Sequence, residues 1–171
     1  MSVITNREAF RATSHRLKSA ILRPMRDGEA ESIGTYCAGV DPYHRLGQSA
    51  PALISYLKKD DPALFRFVIE LKGTAVGLVA VRSPWLRGPF LEMLALREEA
   101  RGIGLGGETV DWVADQAGLL AANLWTTVSD FNVHARGFYH RLGFQKVSEL
   151  PDLIAENASE ILLRRKLLRH S

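Results

Sequence analysis

The period of the apolar positions changes several times along the chain, and each change predicts an element. Leu64–Leu71 and Ala75–Val81 are dense in β-branched and aromatic residues and flank Lys72-Gly73-Thr74, which predicts two antiparallel strands joined by a glycine-containing hairpin. Phe90–Leu96 predicts a third strand after a loop bracketed by Ser83-Pro84 and Gly88-Pro89. Val110, Val113, Ala114 and Ala117 then recur at helical spacing up to Gly118, and Leu124–Val128 reads as a strand. Asn132–Leu142 predicts a helix stopped by Gly143, Phe144–Val147 a strand, Pro151–Ala158 a loop and Ser159–Leu167 a last strand. Upstream, Ala20–Pro24 predicts a short strand and Gly28–Ala38 a helix with Ala30, Ile33, Gly34 and Cys37 along one face. Ser49 is positioned to cap a further helix, with Pro51 in its first turn and Leu53, Ile54 and Leu57 following. Residues 1–18 are polar and basic and are expected to form an extension outside the main fold, helical over Arg7–Leu17, leaving 19–171 as one domain. The order βααβββαβαββ predicts an α/β (α+β) domain: a mixed, mostly antiparallel sheet flanked by helices, with one parallel crossover between Leu96 and Val128.

Composition narrows the function classes. With 46% hydrophobic and 24% charged residues in 171, the chain has the make-up of one globular domain. No apolar run approaches the roughly 18–20 residues of a membrane span, and the first residues do not resemble a secretory signal, so a cytoplasmic protein without membrane contact is expected. Cys37 is the only cysteine, which removes intrachain disulfides and Cys-rich zinc sites and leaves a small packed apolar group as its expected role. The net charge of +3 is too small for a nucleic-acid binder. Its excess gathers at Arg7, Arg11, Arg16, Lys18, Arg23 and Arg26 and at Arg164, Arg165, Lys166 and Arg169, both expected to be solvated surfaces, with contact to phosphates or an acidic partner as the other reading.

The densest chemical signal is the turn Arg101–Gly107. A glycine-rich turn opening a helix exposes backbone N–H groups, and the helix dipole adds partial positive charge there, so phosphate is its natural ligand. Gly102, Gly104 and Gly107 also satisfy the dinucleotide fingerprint G-x-G-x-x-G, with Asp130 as a later ribose-binding acid. Against that reading, Arg97–Arg101 separate the strand from the first glycine, and too little chain follows Val128 for a second mononucleotide-binding half.

These features together resemble the GNAT superfamily of acetyl-CoA-dependent N-acetyltransferases, over about residues 20–167. Leu94–Leu96, the charged loop and Arg101-Gly-Ile-Gly104-Leu-Gly106 are similar to that family's strand, loop and R/Q-x-x-G-x-G/A turn. Leu124–Val128 resembles its next core strand, and Asn132 through Phe144 its asparagine, helix, tyrosine and L-G-F ending. Ile21–Pro24 followed by Asp27 fits its first strand and helix, whereas Arg97-Glu98-Glu99 lacks a proline common in the loop. The resemblance implies that the backbone of Leu94, Ala95 and Leu96 pairs with the pantetheine arm and that the amides of Arg101, Gly102, Ile103, Gly104, Leu105 and Gly106 cradle the pyrophosphate. It further implies that Asn132 binds the pantetheine side and that Tyr139 protonates the departing thiolate.

Acyl transfer from a thioester needs a neutral amine, donors for the developing oxyanion and a proton for the leaving sulfur, but no covalent enzyme intermediate and no metal. An unpaired strand amide near Leu94 is the expected oxyanion donor. An aliphatic amine is mostly protonated at neutral pH, so a base or water relay is required. Strand alternation puts Glu92 on the face of Leu94 and Leu96, making it the candidate base, with a water relay near Thr127 as the other route. His134 and His140 complete no catalytic or metal pattern and are expected to face solvent or to serve in packing. Tyr36, Tyr43, His44 and Arg45 fall where the acceptor site of such folds is shaped. The expected acceptor is a small-molecule or peptide amine, with a noncatalytic acyl-CoA sensor as the alternative and a homodimer through a strand edge as an option.

Overall fold

The computed structural model describes residues 4–168. Thirteen numbered elements follow one another: α1 (Asn6–Ala9), β1 (His15–Arg16), β2 (Ile21–Arg23), α2 (Glu29–Ala38), α3 (Ala50–Lys58), β3 (Leu64–Leu71), β4 (Thr74–Arg82), β5 (Phe90–Leu96), α4 (Leu105–Gly118), β6 (Asn123–Ser129), α5 (Val133–Arg141), β7 (Gln145–Pro151) and β8 (Ser159–Lys166). The strands form one eight-stranded sheet in the order β1-β2-β3-β4-β5-β6-β8-β7, antiparallel at every step except β5–β6. This is the predicted mixed, mostly antiparallel sheet, and it does not fit a doubly wound parallel dinucleotide fold.

Each face of the sheet carries its own core. On one, Phe67, Ile69, Val79, Val81 and Leu91 pack against Leu105, Val110, Val113 and Ala117 of α4 and Tyr139 of α5. On the other, Val68, Leu78, Ala80 and Met93 pack against Ala30, Ile33 and Cys37 of α2 and Leu53 and Leu57 of α3. Side chains of successive strand residues point to opposite faces, so the near-continuous apolar runs of β3 and β4 reflect a sheet covered on both sides.

The amino-terminal segment departs from the expected helical extension over Arg7–Leu17. Only Asn6–Ala9 is helical, closed by a capping box between Thr5 and Glu8, and His15–Arg16 add an edge strand to the sheet. Ala9 and Phe10 are buried in the α4-side core, with the Phe10 ring 5.4 Å from Phe65 and 6.0 Å from Trp112. Apolar contact made by two residues overrides the polar character of the segment around them. Arg23 departs in the same sense from the expected basic surface. It is buried, its Nε donates to Glu70 at 2.6 Å and its Nη2 to Glu29 at 2.7 Å, fastening β2 to β3 and α2. Of the carboxyl-terminal basic group, Arg164 and Arg165 are half-buried, Lys166 is exposed and Arg169 lies outside the described residues. Among the described residues no helix is long and apolar enough to cross a membrane.

Candidate active site

Where β5 and β6 run parallel they pair only at Phe90↔Trp125 and Leu91↔Thr126, although β5 continues to Leu96 and β6 to Ser129. Beyond Leu91 the strands part and open a cleft through the sheet. The cleft, about 140 Å³, is lined by Leu94 from β5, Thr126 and Thr127 from β6, Asn132 and Tyr139 from the α5 segment, and Glu160 from β8. A second chamber of about 210 Å³ adjoins it on the α3 face, sharing Tyr43, Leu46, Glu92, Met93 and Ile154.

The glycine-rich turn enters from the α4 face. Gly104 is the N-cap of α4 in the left-handed region, at φ 87°, and supplies no capping side chain. The first helical backbone bond runs from Glu108 N–H to the Gly104 carbonyl, so the amides of Leu105, Gly106 and Gly107 precede the helical ladder. Leu105 turns its side chain into the core. Gly106 is fixed by packing: a Cβ there would stand 3.3 Å from the Phe138 ring of α5 and 3.6 Å from Leu96, so glycine lets α4, α5 and β5 converge. A bare, amide-rich start of a 14-residue helix fits a pyrophosphate. Arg101 does not aim its guanidinium into the turn. Its Nε donates to the Leu96 carbonyl at 3.0 Å, bracing the end of β5.

A Gly104→Ala variant tests the turn. The open space around Gly104 leaves left-handed strain as the main cost, about 1–2 kcal/mol, so a modest fall in Tm and a several-fold weaker hold on a pyrophosphate-bearing ligand are expected.

Asn132 caps α5, its Oδ1 accepting from Ala135 N–H at 3.1 Å, while the residue also lines the cleft. Gly143 ends that helix: its N–H donates to the His140 carbonyl at 3.0 Å, and Phe144 N–H donates to the Tyr139 carbonyl at 3.1 Å. The Tyr139 ring is gripped edge-on by Phe138 and Phe144, with centroids 5.1 and 5.3 Å away. Burial pushes its phenol up to about 12, opposed by the Thr126 hydroxyl. Thr126 Oγ1 in turn donates to the Leu91 carbonyl at 2.9 Å, the last paired residue of β5 before the strands separate.

Glu92 sits differently from its expected place beside Leu94 and Leu96. The β4–β5 register pairs Ala80 with Met93 but Val81 with Leu91, so Glu92 is the extra residue of a β-bulge and alternation breaks there. Its carboxylate turns to the α3 face, where Oε1 accepts from Arg82 Nε at 3.0 Å and Oε2 accepts from Arg82 Nη2 and Tyr56 OH, each at 3.1 Å. Arg82 also binds Asp61 at 2.9 Å, which holds that carboxyl below its ordinary range. Burial, and then the Glu92 charge, raise the Tyr56 phenol well above its usual value.

Glu160 was not legible as a site residue. It lies in β8 opposite Ser129 of β6, is 4% exposed and lines the cleft. Ser129 Oγ donates to its Oε1 at 2.5 Å. Burial raises its pKa, and the Ser129 and Thr127 side chains oppose that shift. Period-two alternation with the buried Ile161 and Leu163 does assign Glu160 to the opposite face, but nothing local marks that face as covered. Cys37 is fully buried, with its thiol pushed up to about 11 by desolvation, which suits packing and not nucleophilic attack. His134 and His140 are exposed. Among the described residues no three His, Cys, Asp or Glu side chains gather as a metal site.

Comparison with known proteins agrees with this architecture. An uncharacterized N-acetyltransferase of Methanocaldococcus jannaschii is 28% identical over 102 residues, which span 58% of this chain and 65% of the archaeal protein, just under two thirds of its length. An acetyltransferase from Thermus thermophilus superposes with a TM-score of 0.67 at 20% identity, covering 90% of this chain and all of that one. A Bacillus anthracis protein crystallised in complex with acetyl coenzyme A superposes with a TM-score of 0.55 at 14% identity, covering 64% of this chain and 65% of that one. At such identities the superpositions speak for the fold alone. The profile of the acetyltransferase (GNAT) family matches residues 35–144, from α2 through α5 and so across the parted strands and the glycine-rich turn, and the chain belongs to that family.

Proposed function

We propose that the protein transfers an acetyl group from acetyl-CoA to a primary amine of a small molecule or peptide, by direct attack of the amine on the thioester in the cleft between β5 and β6. The observation that carries this reading is the parting of these strands after Leu91, between a bare helix start on one face and buried acid–base groups at its walls. The amides ahead of Glu108 and the turn Arg101–Gly106 hold the pyrophosphate, and the edge of Leu94–Leu96 that β6 leaves unpaired receives the pantetheine arm. Asn132, already committed to capping α5 through Oδ1, lies beside that arm. An amide of β5 next to Leu94, left without a β6 partner, stabilises the developing oxyanion.

Tyr139 gives its phenolic proton to the sulfur as the C–S bond breaks. A phenol lifted to about 12 stays protonated throughout the working range, as a general acid must. The ammonium proton has two carboxylates to meet. Both oxygens of Glu92 are engaged by Arg82 and Tyr56, which suits it to attracting the ammonium. Glu160 has one oxygen held by Ser129, lines the cleft and is made more basic by burial, so it takes the proton, directly or through water beside Thr127.

Two measurements test the reading. A ligand at 100 times its Kd stabilises the folded state by about 2.7 kcal/mol, so acetyl-CoA is expected to raise Tm and NAD to leave it unchanged. Free thiol is then expected to appear from acetyl-CoA only when an amine is supplied. Acetyl-CoA protection without amine-dependent thiol release favours the sensor, and protection by NAD alone overturns the reading.

A further inference from the structure

Resting on the acetyltransferase reading, we propose that the acceptor is a primary amine carrying one positive charge and an apolar, ring-sized body, and that the chamber between α3 and β5 is built to take that body. Tyr43, Leu46, Leu53, Tyr56, Met93 and Ile154 supply its walls. Leu53 and Met93 are core residues of the α3 face, so the floor is rigid. At about 210 Å³ the chamber is roomier than the roughly 150 Å³ cavity that accepts a benzene ring. Ile154 stands at its rim 45% exposed, in the segment before β8, where an apolar ligand would cover it.

Charge sets the other half of the specificity. Glu92 lines both the chamber and the cleft, and it is the only charged side chain of the chamber wall among the described residues. It belongs to a trio with Arg82 and Asp61, in which two carboxylates against one guanidinium leave a single net negative charge. One ammonium placed at the junction is matched by that trio and points its nitrogen toward the gap, where Glu160 lies. A second ammonium further along a polyamine would lie against walls of Leu, Tyr, Met and Ile with Gln48 and no second carboxylate to meet it, losing hydration without gaining an ion pair. The same chemistry could come from a free arylalkylamine or from a peptide whose first residue is aromatic.

The test is a comparison of kcat/KM at saturating acetyl-CoA for 2-phenylethylamine, a phenylalanine-led tetrapeptide and spermidine. Apolar complementarity of this kind is worth about tenfold or more, so one of the two aromatic amines is expected to exceed spermidine by at least that factor, and whichever leads identifies the source. Ile154→Glu, at an exposed position on the rim, is expected to lower the aromatic amine and raise spermidine, narrowing the ratio about tenfold. Spermidine preferred by the unmodified protein, or a ratio untouched by Ile154→Glu, overturns the proposal and leaves the acetyltransferase reading standing. Absence of thiol release with every amine removes both.

Discussion

Tyr139→Phe is expected to lower kcat by about 10²-fold or more while acetyl-CoA KM stays within about twofold of the unmodified protein, since a positioned general acid contributes roughly 10²–10⁴-fold. Only the hydroxyl is lost. The ring keeps its edge-on contacts with Phe138 and Phe144, and Thr126 keeps its bond to the Leu91 carbonyl, so Tm should barely move. Binding and turnover separate in this variant because no residue of the glycine-rich turn lines the cleft beside Tyr139. The pH profile supplies an independent check. With the phenol at about 12, its deprotonation lies beyond the range of ordinary assays, so an alkaline limb at lower pH must belong to another group and should persist in the variant. Unchanged turnover at saturating substrate would leave Tyr139 as a packing residue at the foot of α5.

The parts of the site that were legible in the sequence are those fixed by local chemistry. The backbone form of the turn at Gly102–Gly107 is readable because left-handed conformation and bare amides are properties of the glycines themselves, as Gly104 at φ 87° shows. The α5 segment is equally local: Asn132 caps its start and Gly143 ends it within a few residues of Tyr139. What was not legible depends on register and tertiary cover. Glu92 was assigned to the face of Leu94 by strict alternation, and one extra residue between Leu91 and Met93 moves it to the face of Tyr56. No local signal distinguishes a bulge from a regular strand in Phe90–Leu96. Phe10 shows the same limit, since a polar neighbourhood in sequence hides a buried ring whose partners Phe65 and Trp112 lie tens of residues away, and the burial of Arg23 depends in part on Glu70, 47 residues on. Glu160 is the extreme case. Its partner Ser129 is 31 residues distant, and its burial exists only once β6 and β8 pair.

For Glu160→Gln the expected result is a variant that is more stable at neutral pH and about 10²-fold slower, with the acidic limb of the pH–rate profile lost. The stability sign follows from linkage. Burial raises the folded-state pKa of Glu160 above its ordinary value of 4.5, so its contribution to stability is fully present below that value and is lost as pH rises through the folded-state pKa. Glutamine cannot ionise and keeps the hydrogen bond from Ser129 Oγ, so the Tm difference in favour of the variant should open above pH 4.5 and vanish below it. The rate sign runs the other way. A proton acceptor must be ionised to work, so activity of the unmodified protein should rise with pH through the same window in which its stability falls. A carboxylate kept only for packing would show the stability change without the rate change. A variant less stable at neutral pH would mean that the Glu160 carboxylate is held ionised by its neighbours, and the role of proton acceptor would then pass to water beside Thr127.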